Sequence, residues 1–429
     1  MDSAKSASRQ VWIVNHHGAL PSKDGSEGRH LAFARFLPLY NWSGTVIVAS
    51  TNHRGEQRLS GRHLRRRGRE LGVDTLWIRT NAYRSSPALR MIGMGAFALN
   101  LIRPSTTRGL PKPDVVIGST VHLLAAWAGA RLARRHSVPF VFEIRDVWPD
   151  VLIDLGKVKP GGIFARSVNR LSVTLSRRAA LVISPLPGVR GYLDAHDLSG
   201  VPFAWIPNGV DTTVEETIVP EEHGSFTFMY LGSHNHSNAI DDILEAFDLA
   251  SAKRPDLDMR LRLVGGGPQK PALESMAAKL SSAQRINFEP EIPRSAVLAR
   301  AREADCLVAA LHDNRVYRYG ISLNKLFDYM MAGRPVIFAS NASNNPVQEA
   351  GAGPLVAADE PEALASAMIA MATESPEERT RLGVNGMKHV REHYSYEVLS
   401  GLLASALNES IDPGSAGHLQ APKEGENVR

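Results

Sequence analysis

Short apolar runs alternate with longer amphipathic stretches along most of this chain. The first run, VWIVNHHG at 11–18, ends in polar residues and glycine and leads into GRHLAFARFLPLY, which has helical spacing; together they predict strand, loop and helix. TVIVAS (45–50), DTLWIRT (74–80), PDVVIGS (113–119), PFVFEIRD (139–146) and AALVISP (179–185) repeat the run, and HLLAAWAGARLARRH is the clearest helix between them. A second series follows: FTFMYLGS (226–233), LRLVGGGP (261–268), INFEP (286–290), ADCLVAA (304–310), RPVIFAS (334–340) and GPLVAA (353–358), with helical spacing near 239–252, 272–280, 295–301 and 322–332. Continuous apolar strands alternating with helices predict parallel sheets covered on both faces. The expectation is an α/β chain of two doubly wound, Rossmann-like domains facing each other across a cleft, with ligands at the strand C-terminal ends. The first domain is placed at 10–211 and the second at 225–385; the polar, acidic stretch 212–224 reads as a linker, and 410–429 as a disordered tail.

The 429 residues suffice for two full cores, and at 43% hydrophobic and 22% charged the composition is that of a globular protein. A net charge of +5 suits phosphorylated ligands or an anionic membrane surface and falls short of the charge density of a nucleic-acid binder. The single cysteine, Cys306, sits in an apolar run and reads as a core thiol, consistent with a reducing cytosol. Residues 1–10 lack an apolar signal core, and no window is long enough to span a bilayer; the expected location is cytoplasmic, with possible peripheral contact at the inner face of the plasma membrane.

The stretch 319–338, YGISLNKLFDYMMAGRPVIF, places Lys325 and Asp328 on one helix face and apolar residues on the other. Gly265-Gly266-Gly267-Pro268 and Gly232-Ser233 each follow a strand, where glycine lets backbone N–H groups approach a phosphate. Neither a GxGxxG nor a P-loop pattern is present. Glu143, Arg145 and Asp146 end a strand; alternation would put Glu143 and Arg145 on one side, either as an ion pair or as hydroxyl and phosphate recognition. Asn15, His16, His17 and Gly18 leave the first strand, and Gly28 and Arg29 open the first helix, so that loop is a candidate wall of the site. The histidines form no metal site by spacing. His122 either caps its helix or approaches a substrate, and the Asn208-Gly209 pair marks a turn or hinge. Five arginines in 62–69 and the apolar RMIGMGAFALNLIR, bounded by Arg90 and Arg103, make 62–103 either a solvated basic face or a peripheral membrane contact. Aromatics are not interleaved with that charge, which speaks against RNA.

In order along the chain, NHH-G, GSEGRHLAFAR, FEIRDVWPD, IPNGVD, FMYLGS, LVGGGP and ISLNKLFDYMMAGRPVI resemble the family 4 glycosyltransferases of GT-B architecture, in particular the bacterial branch that builds O-antigen and capsule. The resemblance covers Val11 to about Tyr396. It implies retaining, metal-independent transfer of a sugar from a nucleotide diphosphate, without a cofactor, and a terminal helix (386–409) that returns to the first domain. By position it assigns Asp328 to ribose hydroxyls and Lys325 to the diphosphate or sugar, with Gly232, Ser233, Gly266, Gly267, Pro268, Gly320, Ile321, Ser322 and Leu323 around the donor. Two departures accompany it. Gly320 stands where the first glutamate of the family's Glu-x7-Glu motif is usual, leaving backbone groups of Tyr319 to Ser322 as the replacement. The Arg and Lys that clamp the diphosphate are absent after Gly232, leaving Ser233, His234 and Asn238. Glu143, Arg145, Asp146 and His122 become candidates to orient the acceptor hydroxyl, and His16, His17, Gly18, Gly28 and Arg29 to bind the acceptor. The expected donor is a UDP-sugar, N-acetylated or deoxy sugars included, and the acceptor a lipid-linked saccharide or a small molecule. A UDP-sugar 2-epimerase of the same fold and a nonenzymatic sugar-nucleotide or glycan-binding subunit are the alternatives. The sugar, the linkage position and the oligomeric state are left open by the sequence.

Overall fold

The computed structural model describes residues 8–25, 27–61, 63–83, 86–213, 224–412 and 414. Ser26, Arg62, most of the expected linker and most of the expected tail therefore lie outside the described residues. The chain divides into two compact units, parting between Asn208 and Gly209 and again between Ser395 and Tyr396. Both contain a parallel sheet with helices on each face, the Rossmann-like design.

The first unit holds β1 (Arg9–Val14), β2 (Trp42–Ala49), β3 (Arg65–Glu70), β4 (Val73–Ile78), β5 (Val115–Ser119), β6 (Phe140–Glu143), β7 (Leu181–Ser184) and β8 (Phe203–Trp205), in the order β3-β4-β2-β1-β5-β6-β7-β8. The strands pair in parallel except β3, which runs antiparallel to β4 at the edge. Right-handed crossovers decide which face each helix covers. Helix Arg29–Phe36 leads from β1 out to β2, whereas helices Pro87–Leu101, Leu123–His136 and Ile163–Arg178 all step the other way and form one packed layer on the opposite face. The C-terminal helix Tyr396–Ile411 joins the first face, burying Leu399, Leu403 and Leu407 in the same core as Leu31 and Phe33.

The second unit holds β9 (Phe226–Leu231), β10 (Met259–Val264), β11 (Ile286–Glu289), β12 (Cys306–Ala310), β13 (Val336–Ala339) and β14 (Leu355–Val356), in the order β11-β10-β9-β12-β13-β14. The pairs are parallel. Its two cores lie on the two faces of the sheet, one under helices Ile240–Lys253 and Pro361–Thr373, the other under helix Asn324–Met331.

One strand carried no signal in the sequence, and one reading of the sequence needs correction. The basic run is a strand over 65–70: a mostly exposed, charged edge has no apolar alternation to announce it, and its charge is what keeps a bare edge from pairing with another chain. Arg65 anchors it by donating to the carbonyls of Thr106 and Arg108 at 2.6 and 2.9 Å. The strand before Asp146 ends at Glu143, so alternation does not relate Glu143 to Arg145, and the ion pair they offered does not form.

Glu143 instead joins three segments of the first unit. One carboxylate oxygen accepts from Arg29 Nε at 2.9 Å, and the other pairs with His30 Nε2 at 2.5 Å. Asn15 Nδ2 lies 2.8 Å from His30 Nδ1, so the amide donates there and leaves the Nε2 proton for Glu143. Both terminal nitrogens of Arg29 donate as well, to the carbonyls of Ile206 and Pro207 and the Asn208 side chain. Arg29 is thereby used up inside the unit, which corrects its assignment to acceptor binding, and Glu143 is buried and paired rather than open to a substrate hydroxyl. Burial alone would raise the Glu143 carboxyl, but His30 and Arg29 outweigh it and hold it well below the usual range.

Removing one partner of such a pair strands the other charge, at a cost of about 3–5 kcal/mol. Glu143→Ala should lose about that much in urea unfolding followed by tryptophan fluorescence, which reports on the first unit alone because every tryptophan precedes Asn208. A loss under about 1 kcal/mol, the worth of an exposed pair, would contradict the reading. The folded carboxyl being depressed, the stabilisation is complete above the unfolded value of about 4.3. It should disappear only as pH falls through the lower folded value.

Candidate functional site

In each sheet the first strand has neighbours reached in opposite directions, so the connections leaving its C-terminal end part and expose backbone there. In the first unit the parting lies between β1 and β5, and it is where the histidines meet. The His16 ring lies 4.3 Å from that of His17 and 4.7 Å from those of His122 and Phe97. His122 caps helix Leu123–His136 by accepting the Ala125 N–H at Nδ1, so its Nε2 carries the proton. That nitrogen is buried without a protein partner, as are Asn15 Oδ1, His16 Nδ1, both ring nitrogens of His17, Ser119 Oγ and Trp148 Nε1. Buried polar atoms are seldom left so, and the six of them on the segments leaving β1 and β5 mark a place built to meet a polar ligand.

All three rings are neutral at pH 7. Burial is the main cause, with neighbouring imidazoles and Arg90 adding to it: His17 and His122 are pushed down to about 3, and His16 also falls well below its ordinary value. No carboxylate is among the groups acting most strongly on them. Arg145 follows β6 in the loop, its N–H held by Thr120 Oγ1 at 2.8 Å, while its half-buried guanidinium makes no hydrogen bond or ion pair among the described residues. Asp146 is exposed beside it, its carboxyl raised by the surrounding protein against the pull of Arg145. Gly18 and Gly28 serve packing: a Cβ at Gly18 would lie 2.5 Å from Val48, and one at Gly28 would lie 3.0 Å from the Ala19 backbone.

In the second unit the parting lies between β9 and β12, next to two loops that cross at very short range. A Cβ on Gly265 would fall 1.9 Å from the Gly232 carbonyl oxygen, and one on Gly267 would fall 2.5 Å from that of His234; with positive φ at both, only glycine fits. The crossing seals His234, whose two ring nitrogens have no protein partner, and burial followed by Lys270 and Lys325 lowers it to about 4.

Lys325 is the charged centre of this region. Helix Asn324–Met331 is fixed to the end of β9 by Tyr329, whose hydroxyl accepts the Leu231 N–H at 2.6 Å and donates to the Leu231 carbonyl at 2.7 Å. That attachment sets Lys325 Nζ 2.7 Å from Asn238 Oδ1 and 3.1 Å from the Tyr230 hydroxyl, above the Tyr230 ring. Asn238 and Tyr230 in turn both donate to the Ser233 carbonyl, so the loop and the ammonium are held as one piece. Lys325 has no carboxylate partner among the described residues. Although part of its side chain remains exposed, the packed surroundings bring its pKa down to about 7. A desolvated cation lacking a counter-charge is a ready receptor for an anion.

Asp328, by contrast, is buried and holds Arg294 by both oxygens, Nη2 at 2.6 Å from Oδ1 and Nη1 closing the second contact. Arg294 escaped the sequence reading because nothing local ties 294 to 328. The expected backbone replacement around Gly320 is corrected in part: the Gly320 N–H goes to the Tyr317 carbonyl, and Asn344 takes both the N–H and the carbonyl of Ile321. Ile321 is itself a core residue, which leaves Ser322, Leu323 and the start of the 324–331 helix on the Lys325 side. Elsewhere in this unit Asp241, Asp242 and His312 bring three potential ligand atoms within 4.8 Å of one another, a grouping that no spacing rule had suggested. Asp359 joins it, 2.7 Å from His312 Nδ1.

Residues 42–209 match the family described as Glycosyl transferase 4-like domain, and residues 225–374 that described as Glycosyl transferases group 1. Comparison with curated protein sequences gave no match. Among solved structures, sucrose-phosphate synthase from Thermosynechococcus elongatus is similar over 94% of this chain and 98% of its own, at TM-score 0.70 and 16% identity. An E. coli trehalose-6-phosphate protein bound with UDP-2-fluoro glucose matches 93% of this chain and 99% of its own, at TM-score 0.69 and 11% identity. HepE of Anabaena, in complex with UDP and glucose, matches 94% and 100%, at TM-score 0.64 and 14% identity. None of these three is described as an O-antigen or capsule enzyme, so the likeness leaves the branch within the family open. Two family matches in order, on two Rossmann-like units that align over nearly their whole length with these structures, place the chain in the GT4-like glycosyltransferase family with the GT-B fold.

Proposed function

We propose that this protein is a retaining glycosyltransferase that takes a sugar from a UDP-sugar held by its second unit and passes it to an acceptor bound by its first. The observation that carries the reading is Lys325: an ammonium desolvated to a pKa of about 7, with no carboxylate of its own, beside a glycine crossing and the start of a helix. Those are the features a diphosphate needs, since each supplies positive potential without demanding a rearrangement. Asp328 spends two of its four lone-pair positions on Arg294 and keeps the others for ribose hydroxyls. That a similar fold is described with UDP and glucose, and another with UDP-2-fluoro glucose, favours uridine as the base.

In the transfer, the bond from the sugar's anomeric carbon to the diphosphate breaks as the acceptor oxygen bonds to the same face of that carbon. The acceptor proton passes to the departing phosphate oxygen. Lys325 stabilises the charge that gathers there, and the reading requires no cofactor. His234 stays neutral and lends its unpartnered ring nitrogens as hydrogen-bonding groups. In the first unit, neutral histidines with Arg90 and Arg145 favour an acceptor that carries phosphate beside its hydroxyl. Phosphosugars and polyprenyl diphosphate saccharides both meet that description. Mass-spectrometric screening of UDP-sugars against both acceptor classes tests the reading: a glycosylated acceptor with release of UDP is expected. UDP-sugar converted with no acceptor present would favour the epimerase instead.

Two variants separate the roles. UDP binding needs the Lys325 ammonium, so affinity should fall between pH 7.5 and 9, by up to about tenfold per unit, and Lys325→Met should abolish that slope in calorimetry. The same slope in the variant would remove Lys325 from the donor site. Arg145→Ala should lower kcat/KM for transfer roughly tenfold to hundredfold, the worth of a charged hydrogen bond, while UDP affinity stays unchanged. Equal losses in both would move Arg145 out of the acceptor site.

A further inference from the structure

The helix layer on one face of the first sheet has a charge pattern unlike the rest of the chain. Helices 87–101, 123–136 and 163–178 pack side by side, and not one aspartate or glutamate occurs in the three. They carry Arg90 on the first, Arg131, Arg134 and Arg135 on the second, and four arginines on the third, in a chain whose Lys+Arg (49) and Asp+Glu (44) nearly balance. The connection after the first helix adds Arg103, Arg108 and Lys112 against Asp114, whereas the connection before the third sets Arg145, Lys157 and Lys159 against Asp146, Asp150 and Asp154, so the excess of positive charge belongs to the helices themselves.

Apolar side chains stand out from the same layer. Helix 87–101 buries Met94, Phe97, Ala98 and Leu101 toward the sheet, as a covering helix must, yet also presents an outward stripe in which Ile92 and Leu99 are 61% and 59% exposed. Leu89 and Met91 are exposed beside them. Helix 163–178 begins with Ile163, 84% exposed, followed by exposed Phe164. Each helix of this layer leaves the C-terminal edge of one strand for the start of the next, so Leu89, Met91, Ile92, Ile163 and Phe164 lie toward the edge where the unpartnered histidines sit. Trp127 of the middle helix is half-buried under Arg131, 5.1 Å from its ring, an aromatic and cation pairing suited to a lipid headgroup level. No helix among the described residues is long and apolar enough to cross a membrane.

We infer that this layer docks on an anionic phospholipid bilayer, lying on its surface with the arginines among the headgroups and the exposed apolar side chains below them. Charge decides the occupant. A protein partner or a second copy of a basic surface would have to supply the missing acids, whereas an anionic bilayer supplies them everywhere and also receives apolar side chains. Docked so, the histidine edge lies beside the lipid, where an acceptor on a polyprenyl diphosphate would present its sugar. The docking itself does not depend on the proposed transfer.

The test is sedimentation of the full-length protein, without substrates, with phosphatidylglycerol-containing vesicles and with pure phosphatidylcholine vesicles. Binding to the former alone is expected, weakening as salt is raised. Arg166→Gln and Arg170→Gln should each reduce partitioning roughly fivefold, the worth of one basic residue at such a surface. Ile163→Asp should reduce it further. Lys279→Gln, on the second unit, should leave it unchanged, and unaltered melting by circular dichroism verifies that the variants are folded. Equal binding to both vesicles, binding to neither, or full binding by Arg166→Gln and Arg170→Gln combined would overturn the inference. So would tighter retention on single-stranded RNA than on the anionic vesicles at equal salt. Transfer activity plays no part in these readings, so a failure here and a failure of the proposed enzyme are told apart.

Discussion

Both candidate sites depend on one constraint of parallel sheets: around the first strand the connections leave in opposite directions, and the backbone ends there are not covered by the next crossover. In the first unit this opens the edge between β1 and β5, where His16, His17 and His122 gather; in the second it opens the edge between β9 and β12, where the Gly232 loop runs. The remaining structure fixes what lines those openings. Tyr329 ties a helix to the end of β9, and Glu143 ties β6 to the segments beneath the histidines.

Two charges, one buried and one partly so, show how stability and function are divided. Glu143 is surrounded by donors, with Arg29 and His30 on it and Asn15 behind His30, so its negative charge is answered inside the fold and serves to hold it. Lys325 is held just as firmly, by Asn238 and Tyr230, but by neutral groups that fix its position without answering its charge. The same contrast separates Arg29, whose three guanidinium nitrogens all donate within the fold, from Arg145, whose guanidinium has no partner among the described residues. Charges left unanswered within the protein are the ones available to a substrate, and desolvation makes their interaction with an anion stronger than it would be in water.

The order of strands and helices was legible because buried parallel strands read as unbroken apolar runs, and Val11–Val14, Phe228–Leu231 and Cys306–Ala310 are of that kind. β3 was not, since RRRGRE carries no apolar residue to mark it. Lys325 and the glycines at 232 and 265–267 stood out because their chemistry is local. Glu143 with Arg29, Asp328 with Arg294, and Ile321 with Asn344 did not, being separated by 114, 34 and 23 positions and joined only by the fold. Gly320 shows the same limit from the other side. A missing carboxylate was visible in the sequence, but not that Asn344 occupies the neighbouring peptide group meant to replace it.

The claim that most of this account rests on is that the second unit receives a nucleotide diphosphate at the Lys325 edge. Hydrogen–deuterium exchange with and without UDP reads that edge directly. The account predicts slower exchange at 232–238, 265–270 and 322–326, with β3 and β8 of the first unit unchanged. Protection confined to the first unit, or none in these three segments while UDP is bound, would contradict it.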